Sequence, residues 1–150
     1  MTMHSVKHDS FTMEREYQAA PSQVFAAWAN AEHKAQWAIK AEQFEFRVGG
    51  REVIRVQADG ITYSSAASYQ EIVQDHRIVY SLTLDVDDHR ASVSVVTVEI
   101  HPSDSGSLLV YTEQCAFLDG RDSLEDHRLG AREMLAGLGT FLTGEEAGHA

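Results

Sequence analysis

The stretch LLVYTEQCAFLDGRDSLEDHRLGAREMLAGLGTFLT, residues 108–143, contains the change of hydrophobic period that decides the fold. Up to residue 118 the side chains alternate as in a β-strand, and the odd-numbered positions are bulkier and more apolar than the even-numbered ones. From Ser123 onward apolar side chains recur at helical spacing, with Leu124, Leu135, Leu138 and Leu142 on one stripe. A strand that leads into one long amphipathic helix predicts a sheet whose apolar face is covered by that helix.

The residues before this stretch divide into strand-length segments separated by turn signals. Residues 42–48, 51–58, 61–73, 77–86 and 92–101 are predicted strands, and Asp59-Gly60 is a strong signal for a two-residue hairpin turn. Residues 11–17 are a further predicted strand. After it the spacing becomes helical, with Pro21 suited to a first helical turn and Asn30 suited to cap a second helix that ends near Trp37. This order predicts an α+β fold with seven antiparallel strands, two short helices and one long C-terminal helix.

The size and charge of the chain exclude several classes of protein. Its 150 residues fit one domain, which we place at residues 11–143, with a disordered arm at 1–10 and a frayed tail at 144–150. The net charge of −11 argues against nucleic acid as a partner and against an anionic membrane surface. No apolar run approaches the roughly 20 residues of a membrane helix, so no membrane insertion is expected. Cys115 is the only cysteine and residues 1–10 do not form a signal peptide, so we expect a cytoplasmic protein.

Short segments throughout residues 11–142 resemble the START-like, or SRPBCC, superfamily, which has the helix-grip fold of the birch-pollen allergen. The segments that carry the resemblance are FTMER at 11–15, Ala20-Pro21, Val24-Phe25, Trp28, Trp37, FRVGGR at 46–51, Asp59-Gly60, YQEI at 69–72, TEQ at 112–114, FLDG at 117–120, and Arg128 with Gly130, Leu135 and Leu138. Within this superfamily the chain resembles the family named for the C-terminal domain of the heat-shock-protein-90 ATPase activator, with its polyketide cyclase-like bacterial homologues. The resemblance implies a curved sheet and a long helix that enclose a cavity. Ala38 stands where the family often has an aromatic residue, which predicts a more open cavity mouth.

The candidate site follows from the faces of the strands in such a fold. Glu113 alternates with apolar residues on the inward face of the last strand, and a buried carboxylate requires a partner. Arg15 is in phase with the inward residues of the first strand, which the fold places beside the last one. We therefore predict an Arg15–Glu113 ion pair, either structural or offered to a ligand. The predicted lining residues are Arg15, Trp37, Phe44, Tyr63, Tyr69, Tyr80, Tyr111, Glu113, Phe117, Met134 and Leu138.

Other reactive residues give weaker signals. His127 in the long helix is either a cavity residue or a surface histidine, and Cys115 is interpreted as an inert buried thiol. The eight histidines form no convincing set of metal ligands by spacing, so we predict no metal and no cofactor. Gly130 and Gly137 lie seven residues apart on the helix, either for close packing or to leave space for a ligand.

Three functions are compatible with these features. The first is the binding of a small hydrophobic or aromatic molecule in the cavity, with the tyrosine hydroxyls orienting it. The second is an enzyme of the cyclase or dehydratase type, in which Glu113 is the candidate catalytic residue and works with a tyrosine or His127. The third, implied only by the family resemblance, is an interaction module for a chaperone, which we rank last. The edge strands leave room for a homodimer.

Overall fold

The structure, a computed structural model, describes residues 4–147. The elements follow in the predicted order: β1 (Val6–Tyr17), α1 (Pro21–Ala29), α2 (Ala31–Trp37), β2 (Gln43–Phe44), β3 (Arg51–Ala58), β4 (Ile61–Val73), β5 (Arg77–Val86), β6 (His89–Ser103), β7 (Gly106–Leu118) and α3 (Leu124–Ala147). The seven strands form one antiparallel sheet in the order β1-β7-β6-β5-β4-β3-β2. The predicted α+β helix-grip fold is confirmed.

Turn chemistry explains why the strands from β2 to β7 pair with their neighbours in sequence. At the β3–β4 turn both Asp59 and Gly60 have positive φ, as a two-residue hairpin turn of the predicted type requires. The ladder between β4 and β5 shifts register between Tyr69 and Glu71, so that Ile72 packs against the core although it is out of phase with Tyr69. Such an irregularity bends a long strand and helps the sheet to curve around a core on one face.

Local capping fixes the helices. Pro21 occupies the first turn of α1, and the side chain of Asn30 accepts a hydrogen bond from the backbone nitrogen of His33 to start α2. The Ser123 hydroxyl accepts a hydrogen bond from the Asp126 nitrogen at the start of α3. These caps lie at the predicted helix starts. The apolar stripe of α3 is buried against the sheet, with Leu135 and Leu138 in the core.

β6 begins at His89 and ends at Ser103, beyond the predicted 92–101, and three other elements differ from their predicted bounds by more. β1 begins at Val6 and not at residue 11, because its ladder with β7 continues to the pair Val6↔Leu118, and residues 6–10 are therefore no disordered arm. β2 contains only two residues, because the chain turns back through a hydrogen bond from the Gly50 nitrogen to the Arg47 carbonyl. α3 continues to Ala147, past the predicted start of the tail at 144. Residues 1–3 and 148–150 of the predicted arm and tail lie outside the described residues.

The core lies between α3 and the sheet and extends to the two short helices. Trp28 of α1 and Trp37 of α2 meet edge to face with ring centroids 4.9 Å apart, and both are buried. None of the helices within residues 4–147 combines the length and the apolar character that crossing a bilayer would need.

Candidate functional site

A cavity of about 280 Å³ opens between α3, α2 and the concave face of the sheet. Its walls combine six apolar side chains with seven polar ones. The apolar part comprises Ala38, Ile54, Ala67, Leu82, Ala131 and Met134, and the polar part comprises Lys34, Glu52, Ser65, Tyr80, Tyr111, Glu113 and His127, with Gly130 completing the wall. An apolar cavity with a few converging polar groups is the usual form of a small-molecule site.

A buried ion pair forms one side of the cavity. The Lys34 ammonium of α2 donates to Oε1 of Glu52 on β3 at 2.7 Å, and both side chains are less than 10% exposed. The Tyr69 hydroxyl donates to the same oxygen at 2.7 Å. Burial, followed by the charge of Glu52, raises the pKa of Tyr69, so this hydroxyl is protonated at any physiological pH. The pair therefore has compensated charges and a fixed geometry.

A second polar cluster lies on the opposite side, four strands away from β3, on β7. The Tyr111 hydroxyl donates to Oε1 of Glu113 at 2.9 Å, and Nδ1 of His127 on α3 lies 2.6 Å from the other carboxylate oxygen. Nε2 of His127 contacts the carboxylate of Asp122. The Cys115 thiol donates to Oε2 of Glu113 at 3.6 Å. The imidazole is thus held between two carboxylates and borders the cavity.

The electrostatics of this cluster favour a charged imidazole. Burial opposes the charged form of His127, but hydrogen bonds to Asp122 and Glu113 outweigh it and raise the pKa of His127 to about 10. Burial also opposes the charged form of Asp122, and its hydrogen bond to His127 still holds the pKa of that carboxyl below its ordinary value. Burial raises the pKa of the Cys115 thiol to about 12. In the absence of other ligands, the cluster presents an imidazolium and a neutral thiol at neutral pH.

The structure brings four of the predicted lining residues together in the cavity: Tyr80, Tyr111, Glu113 and Met134. Phe117 lies just behind it, edge-on to His127 with ring centroids 5.4 Å apart. Tyr69 and Leu138 belong to the buried core, although the Tyr69 hydroxyl reaches Glu52. Phe117, Tyr69 and Leu138 therefore pack behind the cavity wall and do not line the cavity.

The predicted Arg15–Glu113 pair is wrong. β1 does lie beside β7, but the register sets Phe11 opposite Glu113 and Arg15 opposite Leu109. Four residues along a strand correspond to about 13 Å. The Arg15 guanidinium instead donates to the carbonyl of Glu14, in a groove between β1 and the end of α3. The partner of Glu113 comes from the helix and not from the neighbouring strand.

Three aromatic residues predicted to line the cavity lie elsewhere. The Trp37 indole turns into the core, where its Nε1 donates to the Ala27 carbonyl at 3.0 Å. Tyr63 lies near the tip of the β3–β4 hairpin and is 37% exposed, because the sheet extends there beyond the helix. Phe44 lines a separate groove beside α2. A side chain on the inward face of a strand therefore lines the cavity only where a helix covers that part of the sheet.

Sequence reasoning missed Lys34, Glu52 and Asp122. Glu52 is in phase with Ile54 and Val56 on β3, so its inward position was a usable signal of the same kind as that of Glu113. Lys34 precedes Trp37 by three residues and shares its buried helix face. Asp122 precedes the helix cap that Ser123 provides, and no hydrophobic period marks it as a partner of His127.

Gly130 and Gly137 of α3 lie in different surroundings. A Cβ at Gly137 would lie 2.8 Å from the Trp37 carbonyl oxygen, so that close approach of α2 and α3 requires glycine there. A Cβ at Gly130 meets no atom within 4 Å, and Gly130 borders the cavity. The close contact at Gly137 is therefore with α2 and not with the sheet, and space for a ligand at Gly130 stays a prediction.

Comparison with known proteins places the chain in a family. The model of the family "Activator of Hsp90 ATPase homolog 1-like protein" matches residues 18–143. No curated protein matches the chain significantly. An uncharacterised protein from Rhizobium leguminosarum is 32% identical, with coverage of 95% of this chain and 99% of its own and a TM-score of 0.89. A protein from Rhizobium loti is 39% identical, with coverage of 91% and 99% and a TM-score of 0.87.

A more distant structure has the same fold. A protein from Chromobacterium violaceum is 23% identical, covers 89% of this chain and 96% of its own, and superposes with a TM-score of 0.74. The START-like fold that these proteins share is commonly a ligand-binding domain. With a family match that spans most of its length, this chain belongs to the family of activator of Hsp90 ATPase homolog 1-like proteins.

Proposed function

We propose that the protein binds a small, largely apolar molecule in the cavity under α3. The observation that carries the proposal is the arrangement of the cavity wall, in which aliphatic side chains separate two buried polar clusters, Lys34–Glu52 and Glu113–His127. Folding leaves this volume open although larger side chains at Ala67, Ala131 or Gly130 would close it. Open apolar volume in a core forfeits packing energy, which a ligand would restore.

The size of the cavity supports a compact ligand. Its volume of about 280 Å³ lies just below the range of roughly 300–1,000 Å³ that is typical of ligand pockets. A one- or two-ring aromatic compound fits this volume better than a long-chain lipid. The charges of the wall also favour an uncharged ligand, because Lys34 and His127 already contact carboxylates. The Tyr80 hydroxyl and the Glu113 carboxylate border the cavity and would hold a polar atom of the ligand.

A thermal-shift screen of aromatic and aliphatic compounds tests this proposal. A ligand at 100 times its Kd should stabilise the domain by about 2.7 kcal/mol. Gly130→Leu, which projects a side chain toward the cavity, should abolish the shift while the protein remains folded. Gly144→Leu is the matched control, because Gly144 lies on the same helix, has open space around it and does not border the cavity.

The result that would overturn the proposal is a screen in which Gly130→Leu and Gly144→Leu respond to every compound as the wild type does. A ligand whose stabilisation survives a filled cavity binds elsewhere. The same pair of variants also tests the third hypothesis, a surface that binds a chaperone, since Gly130→Leu would leave binding at such a surface unchanged. That reading rests on the family name alone.

A second candidate function is supported by the second polar cluster. Glu113 and His127 both border the apolar cavity, so an enzyme of the cyclase or dehydratase type would use Glu113 as general base and His127 as general acid toward a bound molecule. The cyclase or dehydratase reading therefore assigns proton donation to His127. Mass spectrometry of each bound compound after incubation tests it: turnover that Glu113→Gln abolishes without loss of binding supports an enzyme, and unchanged compounds support a binder.

A further inference from the structure

The second polar cluster contains three side chains of the types that bind zinc. One oxygen of Glu113, the Sγ of Cys115 and a ring nitrogen of His127 lie within 4.8 Å of one another. Glu113 and Cys115 alternate on the inward face of β7, and His127 approaches from the first turn of α3. Glu113 and Cys115 are buried, so these are not the exposed carboxylates that cluster by chance at an acidic surface.

Asp122 holds the histidine as a zinc site requires. A histidine that binds zinc through one nitrogen usually donates its other N–H to a carboxylate, which fixes the orientation of the ring. Here Nε2 of His127 contacts the Asp122 carboxylate, and Nδ1 is directed at Glu113. The ring is therefore oriented toward the two other candidate ligands by a residue that would not itself touch the metal.

A further polar side chain at this point lacks a well-formed hydrogen bond. Ser94 lies opposite Cys115 in the β6–β7 ladder and is 2% exposed. Among the residues that the structure describes, its hydroxyl forms no hydrogen bond of standard geometry, although its contact with the Cys115 sulfur acts to lower the pKa of that thiol. A buried hydroxyl without a well-formed hydrogen bond is destabilising. A water or a ligand on a metal beside Cys115 would supply the missing hydrogen bond.

We propose that Glu113, Cys115 and His127 bind a zinc ion, with Asp122 as the carboxylate behind the histidine. The mixed oxygen, sulfur and nitrogen set selects zinc over calcium or magnesium, which prefer oxygen ligands alone. Three protein ligands leave a fourth tetrahedral position. Because Glu113 and His127 border the cavity, this position faces the proposed ligand site, and a bound molecule with a carbonyl or hydroxyl oxygen would complete the coordination.

Zinc binding requires only a small rearrangement. Nδ1 of His127 and Oε2 of Glu113 are 2.6 Å apart as hydrogen-bonded partners, and two ligands of one tetrahedral zinc are separated by about 3.3 Å, as zinc–ligand distances of about 2.0 Å imply. A turn of the carboxylate provides this difference. The proton between these two atoms and the thiol proton of Cys115 leave to solvent, so the affinity for zinc rises with pH.

Zinc binding by the cluster and ligand binding in the apolar cavity do not depend on each other. A cavity that binds aromatic compounds without zinc would leave the proposed function intact, and zinc binding without any cavity ligand would leave this inference intact. The experiments therefore use the metal alone. His4 and His8, which lie outside the cluster and could bind metal adventitiously, are first replaced by glutamine in every variant.

Titration of this background protein with Co²⁺, a spectroscopic substitute for zinc, reports the ligands directly. We expect one equivalent to bind with tetrahedral absorption bands and a thiolate-to-cobalt charge-transfer band, and we expect zinc to displace it. Cys115→Ser should remove the charge-transfer band, and Asp122→Asn should weaken zinc binding by about 10–100-fold. His101→Gln, at an exposed histidine, is the control that should change nothing.

Two results would overturn the proposal. One is a background protein that binds no Co²⁺ or Zn²⁺ although its circular dichroism shows that it is folded. The other is Co²⁺ binding whose spectrum and affinity are the same after Cys115→Ser and after Asp122→Asn, since such binding lies outside the cluster.

Discussion

The buried pair Lys34–Glu52 allows a prediction whose size follows from the structure. Replacement of Lys34 by methionine keeps most of the side-chain volume and removes the ammonium. The Glu52 carboxylate then remains buried with the Tyr69 hydroxyl as its described donor. Loss of one partner of a buried pair costs about 3–5 kcal/mol. Because that hydroxyl remains, we expect the lower end, about 3 kcal/mol, out of the 5–15 kcal/mol that is typical of a whole domain.

Urea unfolding, followed by circular dichroism, measures this cost. With a slope of about 2 kcal/mol per molar urea, a loss of about 3 kcal/mol moves the midpoint down by roughly 1.5 M. Lys40→Met is the matched control, since Lys40 is exposed three residues beyond Trp37, and it should move the midpoint little. In the double variant Lys34→Met/Glu52→Gln the uncompensated charge is gone, so most of the lost stability should return.

The reasoning fails if Lys34→Met and Lys40→Met cost the same, within about 1 kcal/mol. That outcome would show that the Lys34–Glu52 contact behaves as a surface salt bridge does, with water reaching both groups. It would also fail if the double variant were less stable than Lys34→Met by the full cost of a second lesion, because the two charges would then act independently.

Two further predictions concern α3. Gly137→Ala should destabilise the protein by about 1–3 kcal/mol in urea unfolding, because the new Cβ meets the Trp37 carbonyl. Gly130→Ala has open space around the new Cβ and should stabilise the protein by up to about 1 kcal/mol. Equal effects of the two substitutions would refute the close-packing argument. In zinc-free protein, the stability that His127 contributes should be complete below its unfolded pKa of 6.5 and lost as the pH rises through its folded pKa of about 10. His127→Gln should therefore flatten this part of the curve of unfolding free energy against pH. An unchanged curve would contradict the raised pKa of His127.

The order of the elements could be predicted because the signals for it are local. The alternation of residues 77–86, the turn at Asp59-Gly60 and the cap at Asn30 each involve residues within a few positions of one another. The antiparallel neighbours from β2 to β7 follow from such turns without further information. The start of β1 was missed because residues 6–10 are polar, and only their pairing with β7 makes them a strand.

The site was predictable only in part, since it depends on relations that are not local. The inward position of Glu113 followed from alternation along one strand, and it is confirmed by burial. Its partner did not, because the choice between Arg15 and His127 depends on the register of β1 and on the rotation of α3 over the sheet. The spacing of hydrophobic residues along the chain determines neither the register of β1 nor the rotation of α3. The same alternation rule gives Glu52 an inward position on β3, in phase with Ile54 and Val56.

The pairing of β1 with β7 has a consequence for synthesis on the ribosome. Tyr17 pairs with Ser107, so about 90 further residues must be translated before the first strand meets its partner. At about 5–20 residues per second, the nascent strand waits for roughly 5–20 s with its apolar face open. Glu14 and Glu16 on its other face place negative charge on the waiting strand and oppose its pairing with other chains. These acidic residues thus protect the chain before the fold exists.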